Sequence, residues 1–100
     1  MNAHSTSPKD LDECLVRLTS MLSPHEIERI KRGSAQEMTQ HHFGLGLWMR
    51  NNWGLWGDSP LARWFQARGI DHADAMSGII LDSFWRHLNG RPITRNEPSE

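Results

Sequence analysis

Serine is followed by proline three times in this chain, at Ser7-Pro8, Ser23-Pro24 and Ser59-Pro60, and each pair stands just before an apolar stripe. A serine hydroxyl accepts from the N–H groups left open at a helix start. Proline at the first helical position loses nothing, because its missing N–H would be unpaired there in any case. The three pairs therefore predict three helix starts and divide the chain into short helices. After Ser7-Pro8, residues Leu11, Leu15, Leu18 and Leu22 recur at helical spacing, and Cys14 fills the same stripe. Ser23 has Glu26 three residues on, the spacing of a capping box, with Ile27 and Ile30 as the buried face and Gly33 as the stop. Ser34 and Glu37 repeat the box at once and open a third helix. Leu61, Trp64 and Phe65 follow Ser59-Pro60, with Gly69 ending that helix. Asp71 or His72 opens a fifth helix, carrying Met76, Ile79, Ile80, Phe84 and Leu88 and closed by Asn89-Gly90. No stretch alternates with period two. The fold class expected is all-α: a compact bundle of four to five short helices.

The third helix, from about Ser34 to Asn52, carries the most apolar run. On a helix advancing about 100° per residue, Phe43, Leu45, Leu47, Trp48, Met49 and Trp53 fall nearly all round the cylinder. Such a helix is expected to be enclosed by others, as the hydrophobic centre of the bundle. Gly44 and Gly46 weaken it and are expected to admit a neighbouring backbone closely. Arg50 falls within the same crowded surface. A guanidinium there needs a partner, since burying it alone is prohibitive. It either clamps a carboxylate from Asp58, Asp71 or Asp74, or grips an external anion or a partner's carboxylate. Asn51-Asn52 marks the helix exit, with a hydrogen-bonding task for one of them as the alternative.

The run HHFGLGLWMRNNWGLW, followed by GIDHADAMSGIILDSFWRHLNG, resembles a family of small, mostly bacterial domains of unknown function. Their pattern is close to HFGLGxWxRNxWGLW, then a loop and a helix with an acidic start and a serine. His42, Phe43, Gly44, Leu45, Gly46, Trp48, Arg50, Asn51, Trp53, Leu55 and Trp56 match the first block, and Asp74, Met76 and Ser77 the second. Ala73 stands where that pattern has a proline before the acidic residues, so the start of the last helix is expected to differ slightly. The resemblance spans roughly residues 34–90 and implies no particular chemistry.

Charge and composition exclude several classes of function. Eleven Lys and Arg stand against twelve Asp and Glu in 100 residues, whereas a dedicated nucleic-acid binder carries a clear basic excess. Arg29, Lys31 and Arg32 cluster, yet Glu26 and Glu28 precede them, as on a solvated helix face. The longest uncharged run, Met38 to Met49, falls well short of the roughly 20 apolar residues needed to cross a membrane. Met1 to Lys9 lacks the apolar core of a secretory signal, and the single Cys14 allows no internal disulfide, which together predict a cytoplasmic protein. Residues 1–6 and 91–100 are polar or proline-containing and are expected to be disordered tails around one helical domain, 7–90. The six histidines show no metal-ligand spacing, and adjacent His41 and His42 point apart on a helix, so neither metal nor cofactor is expected. GLGLW is not a dinucleotide fingerprint, and no nucleophile elbow or phosphate loop is present.

Five tryptophans are then the feature left to explain. Trp48, Trp53, Trp64 and Trp85 are expected to build the core, since a small domain needs the area each can bury. Trp56 lies in the Gly54-Leu55-Trp56-Gly57-Asp58 loop, where burial is harder, and with Leu55 it is the candidate anchor for a protein partner. The function expected is a non-enzymatic protein–protein interaction module, of the immunity-type, inhibitor or adaptor kind found in bacterial conflict systems, with a protein partner or self-association. The first alternative is a ligand-binding or catalytic cleft formed by His42, Arg50, Asp74 and Ser77. The second is a nucleic-acid-associated protein.

Overall fold

Asp10, not Ser7, starts the first helix. The computed structural model describes residues 8–33 and 42–93, and over these the chain forms five helices and no strand. In α1 (Leu11–Met21) the Asp10 carboxylate accepts from Glu13 N–H at 2.9 Å, and the Glu13 carboxylate reaches back to Lys9 N–H at 2.8 Å. This reciprocal pair satisfies the open N–H groups three residues beyond the expected start, which leaves Pro8 outside the helix as a buried residue; Ser7 lies outside the described residues. Leu11, Cys14, Leu15 and Leu18 form the buried stripe.

The second helix, α2 (Pro24–Arg32), follows the expected capping box: Ser23 accepts from Glu26 N–H, and Glu26 accepts from Ser23 N–H, both at 3.2 Å. Gly33 ends it in an extended conformation, φ −70°, so no left-handed residue closes it. Its last carbonyls are met from another helix: Trp85 Nε1–H donates to Gly33 at 2.9 Å and Asn89 Nδ2–H to Lys31 at 3.0 Å. The expected capping box at Ser34 and Glu37 lies outside the described residues.

A π-helical turn, His42–Gly46, runs into α3 (Leu47–Asn52). α4 spans Pro60–Gln66 behind the Ser59 cap, and α5 spans Ala73–Leu88. Gly69 and Gly90, at φ 82° and 69°, follow these two helices as expected. Each is accompanied by the six-residue closure of a Schellman ending, Ile70 N–H to Phe65 and Arg91 N–H to Arg86. His72 opens α5 without a side-chain cap.

The centre of the bundle is α5, not the third helix. At 16 residues α5 is about 24 Å long, enough for α1, α2, the π turn with α3, and α4 all to pack along it. Its buried residues Ala73, Met76, Ser77, Ile80, Leu81 and Phe84 recur at helical spacing through the core. α3 instead lies at the edge. Met49 and Trp53 face inward, while Leu47 is exposed and Trp48 is 40% exposed, set edge-on to Trp53 at 5.6 Å. Over its described residues the apolar cylinder of the third helix is therefore not enclosed, since Leu47 and Trp48 stand partly in solvent while Met49 and Trp53 are covered; residues 34–41 of the expected helix lie outside the described residues. Of the four tryptophans expected in the core, only Trp53 is fully buried; Trp64 and Trp85 are half-buried.

The chain remains packed past Gly90, with Ile93 against the core and the Arg91 guanidinium 5.1 Å from the Trp85 ring centroid. Of the expected tails, 1–6 and 91–100, residues 91–93 are the part among the described residues. The Cα radius of gyration, 13.1 Å, is that of a tightly folded chain of this length. Phe84→Ala is expected to cost about 3–5 kcal/mol in a urea melt, and Trp48→Ala less than about half of that, because so much of the Trp48 ring is already in water.

Candidate functional site

Gly46 sets the geometry of the site. It is buried where the π turn crosses α5, and a Cβ built there would lie 3.3 Å from Arg50 Nη1 and 3.7 Å from both Ser77 Oγ and Leu81 Cδ1. The close neighbours are thus side chains rather than the expected backbone, and Gly44 has nothing within 4 Å. One turn after Gly46, Arg50 falls on the same face and reaches α5. Its Nη1 donates to Ser77 Oγ at 2.7 Å and meets Asp74 Oδ1 at 3.3 Å. The buried Ser77 hydroxyl in turn donates to the Asp74 carbonyl at 3.1 Å. Serine is suited to this position because one hydroxyl both accepts and donates. The Arg50 side chain is 11% exposed and Nε is buried without a partner among the described residues, whereas the Asp74 side chain is 81% exposed. The pair joins a nearly dry cation to a nearly solvated anion.

Arg50, Asp74 and Ser77 are thus brought together, 27 residues apart in sequence at the arginine–serine contact. The His42 side chain lies outside the described residues. Of the three carboxylates offered for Arg50, Asp74 is the one it meets; Asp58 pairs with Arg63 instead. Neither the groove beside α2 and the π turn nor the one between α1 and Ile93 is lined by Arg50, Asp74 or Ser77.

The Trp56 loop is held from both ends. Gly54 has φ 69°, and a Cβ there would lie 2.9 Å from Ser59 Cβ, so both backbone and space require glycine. Ser59 Oγ donates to the carbonyls of Trp53 and Gly54 at 3.2 and 3.1 Å and accepts from Ala62 N–H, tying the loop to the start of α4. Leu55 turns inward, 3% exposed, and is part of the core, so it does not stand beside Trp56 on the surface as expected. A residue following a left-handed helix end packs back on its own helix, which is where Leu55 goes: its N–H donates to Arg50 at 3.2 Å.

Trp56 points outward, 61% exposed, and is nonetheless fixed. Its Nε1–H donates to Asn51 Oδ1 at 2.8 Å, and the Arg50 guanidinium lies 5.6 Å from its ring centroid. The Asn51 acceptor was not singled out for this task in the sequence, although its spacing of five from Trp56 is visible there. Asn52 Nδ2–H donates to the Trp48 carbonyl at 2.8 Å, completing the helix exit. Sequence reasoning also missed a groove of about 530 Å³ between the α1–α2 corner and the π turn, lined by Met21, Leu22, Ile30, Leu45 and Trp48 with Glu26 and Arg29 at its charged positions. Burial pushes the Cys14 thiol well above its ordinary range, with the nearby charges of Asp10 and Glu13 adding to the effect. A buried thiol kept neutral is not a nucleophile.

Fold and site together define a small all-helical domain whose surface carries a hydrogen-bonded tryptophan beside a half-exposed arginine–serine–aspartate cluster. The chain belongs to the family described as Domain of unknown function (DUF6794), whose model matches residues 7–88. No curated protein and no solved structure matches it.

Two outcomes follow. A double-mutant cycle of Arg50→Met and Ser77→Ala in urea should show a coupling of about 1–3 kcal/mol, since removing either partner strands the other in a nearly dry place. A disulfide-exchange reagent at about pH 8 should leave Cys14 untouched in the native protein and label it fully in denaturant.

Proposed function

We propose that this domain is a protein–protein interaction module whose contact surface is centred on Trp56. One observation carries the reading: a large aromatic side chain stands mostly in solvent, yet its indole N–H is bonded to Asn51 and its ring is flanked by Arg50. The tight loop places the ring outside, and the Asn51 and Arg50 contacts then hold it in one orientation. One held in a single orientation loses little side-chain freedom when a partner covers it, and buried tryptophans with neighbouring arginines carry much of the energy at protein interfaces. Leu47 and Trp48 are exposed on α3, the helix that leads into the Trp56 loop, and would extend the apolar contact. An immunity-type, inhibitor or adaptor protein in a bacterial conflict system is the finer form of this reading, and it has the same physical requirement. A second copy of the chain is another partner the same surface admits.

Affinity capture of tagged protein from its own cells, beside a Trp56→Ala variant, tests the reading. The expected result is a stoichiometric protein, or a self-associated species in sedimentation, that is lost in the variant while its urea melt stays within about 1 kcal/mol of the parent. Equal capture by both forms, or no association by either, overturns it.

A further inference from the structure

Asp74 occupies the place on Arg50 where a partner's anion would bind. The guanidinium is oriented on its inner side by Ser77 Oγ and flanked by the Trp56 ring, and both of its polar contacts among the described residues run through Nη1. Its one anionic contact is Asp74 Oδ1, at 3.3 Å, longer than the charge-assisted bonds that guanidinium and carboxylate form when well matched. The Asp74 side chain is 81% exposed, and an exposed carboxylate touching one nitrogen is weakly held. Arginine can offer a fork of two parallel N–H donors to a single carboxylate, and the described contacts use only one nitrogen.

We infer that the partner presents a carboxylate beside an apolar side chain, the carboxylate displacing Asp74 from Arg50 and the apolar group covering the Trp56 indole. This rests on the interaction reading above and gives that partner its chemistry. Three features of the structure converge on it. Arg50 is nearly dry, so a carboxylate delivered with an apolar neighbour gains more there than in water. The guanidinium lies 5.6 Å from the Trp56 ring centroid, so one short peptide segment spans both contacts. Asp74 sits at the first turn of α5, where the helix N-terminus favours its charge without Arg50, so its release leaves it in water and still stabilised. Asp74 is then an internal competitor that keeps Arg50 paired until the partner arrives.

The test uses the full chain, labelled with ¹⁵N, and two probes: the peptide Ac-Leu-Glu-Leu-NH2 and its twin Ac-Leu-Gln-Leu-NH2, titrated into the millimolar range. The signals read are the Trp56 indole Nε1–H, assigned by its loss in Trp56→Phe, and the Arg50 Nε–H, assigned by its loss in Arg50→Lys. The Glu peptide should move both saturably and bind about tenfold more tightly than the Gln twin, the difference a charged hydrogen-bond partner makes. Asp74→Asn should bind the Glu peptide roughly threefold more tightly, because the competing anion is gone, even as its thermal stability falls slightly. A purely structural Asp74 would give the opposite or no change in binding. Equal binding of the two peptides, absence of saturable shifts, or an Asp74→Asn variant that binds no better each overturns the inference. If the Gln twin moves the Trp56 signal as strongly as the Glu peptide, the interaction reading stands and only its carboxylate chemistry falls. Asp74 is exposed, so its variant remains informative should Arg50→Lys fail to fold.

Discussion

The crossing of the π turn over α5 at Gly46 is the constraint on which the rest depends. A Cβ at Gly46 would meet Ser77 and Leu81 at ordinary contact distance and press only on Arg50 Nη1, at 3.3 Å, so the missing side chain leaves room for Arg50, one turn later, to lie in a nearly dry place. A guanidinium there needs hydrogen-bond partners, and the ones it meets among the described residues are on the first turns of α5. Ser77 supplies an oxygen already oriented by its own bond to the Asp74 carbonyl. That contact fixes the C-terminal end of α3 against α5. It thereby fixes where the chain leaves α3, which way Gly54 turns it, and where Trp56 emerges.

The loop after α3 divides its two apolar residues between opposite surroundings. Leu55 follows the left-handed Gly54 and folds back into the core, while Trp56, one residue later, faces outward. Ser59 closes the loop by bonding the carbonyls of Trp53 and Gly54 while capping α4, so there is little slack for Trp56 to fold inward. The exposed indole is therefore a consequence of a tight loop anchored at both ends. Asn51 and Arg50 then hold it in one orientation. A small domain ordinarily gains by burying its largest aromatic side chains, and here the geometry of the loop prevents it.

The same accounting explains the unequal fates of the tryptophans. Trp53, just past α3, is buried in the core, and Trp48, five residues earlier, packs edge-on against it while lining the groove beside Leu22 and Ile30, which leaves it 40% exposed. Trp85 is half-buried because its indole N–H is committed to the Gly33 carbonyl at the end of α2, where it replaces the glycine cap that the extended Gly33 does not provide. Trp64 is half-buried with the Arg68 guanidinium 3.7 Å from its ring centroid and Phe65 edge-on at 5.0 Å. The Trp85 and Trp64 rings each sit where one polar or cationic contact and one apolar face are both met.

What the sequence determined by itself was local: the all-α class, the starts of α2 and α4 at Ser23 and Ser59, the stops at Gly69 and Gly90, and the inward stripe of α5. These follow from hydrogen bonds and backbone preferences spanning three or four residues, which leave a readable mark on spacing. The start of α1 was misplaced because two local caps lay three residues apart, and the Asp10–Glu13 pair satisfied the open N–H groups better than Ser7-Pro8. The need of Arg50 for a carboxylate was legible from its apolar surroundings, but the choice of Asp74 over Asp58 and Asp71 was not. That choice, the central position of α5 rather than the third helix, the burial of Leu55 and the exposure of Trp48 were decided by tertiary structure. They depend on which helix is long enough to touch the others and on how the π turn and α3 pack across it beside Gly46. Those are properties of whole elements packed together, and no short stretch of sequence carries them.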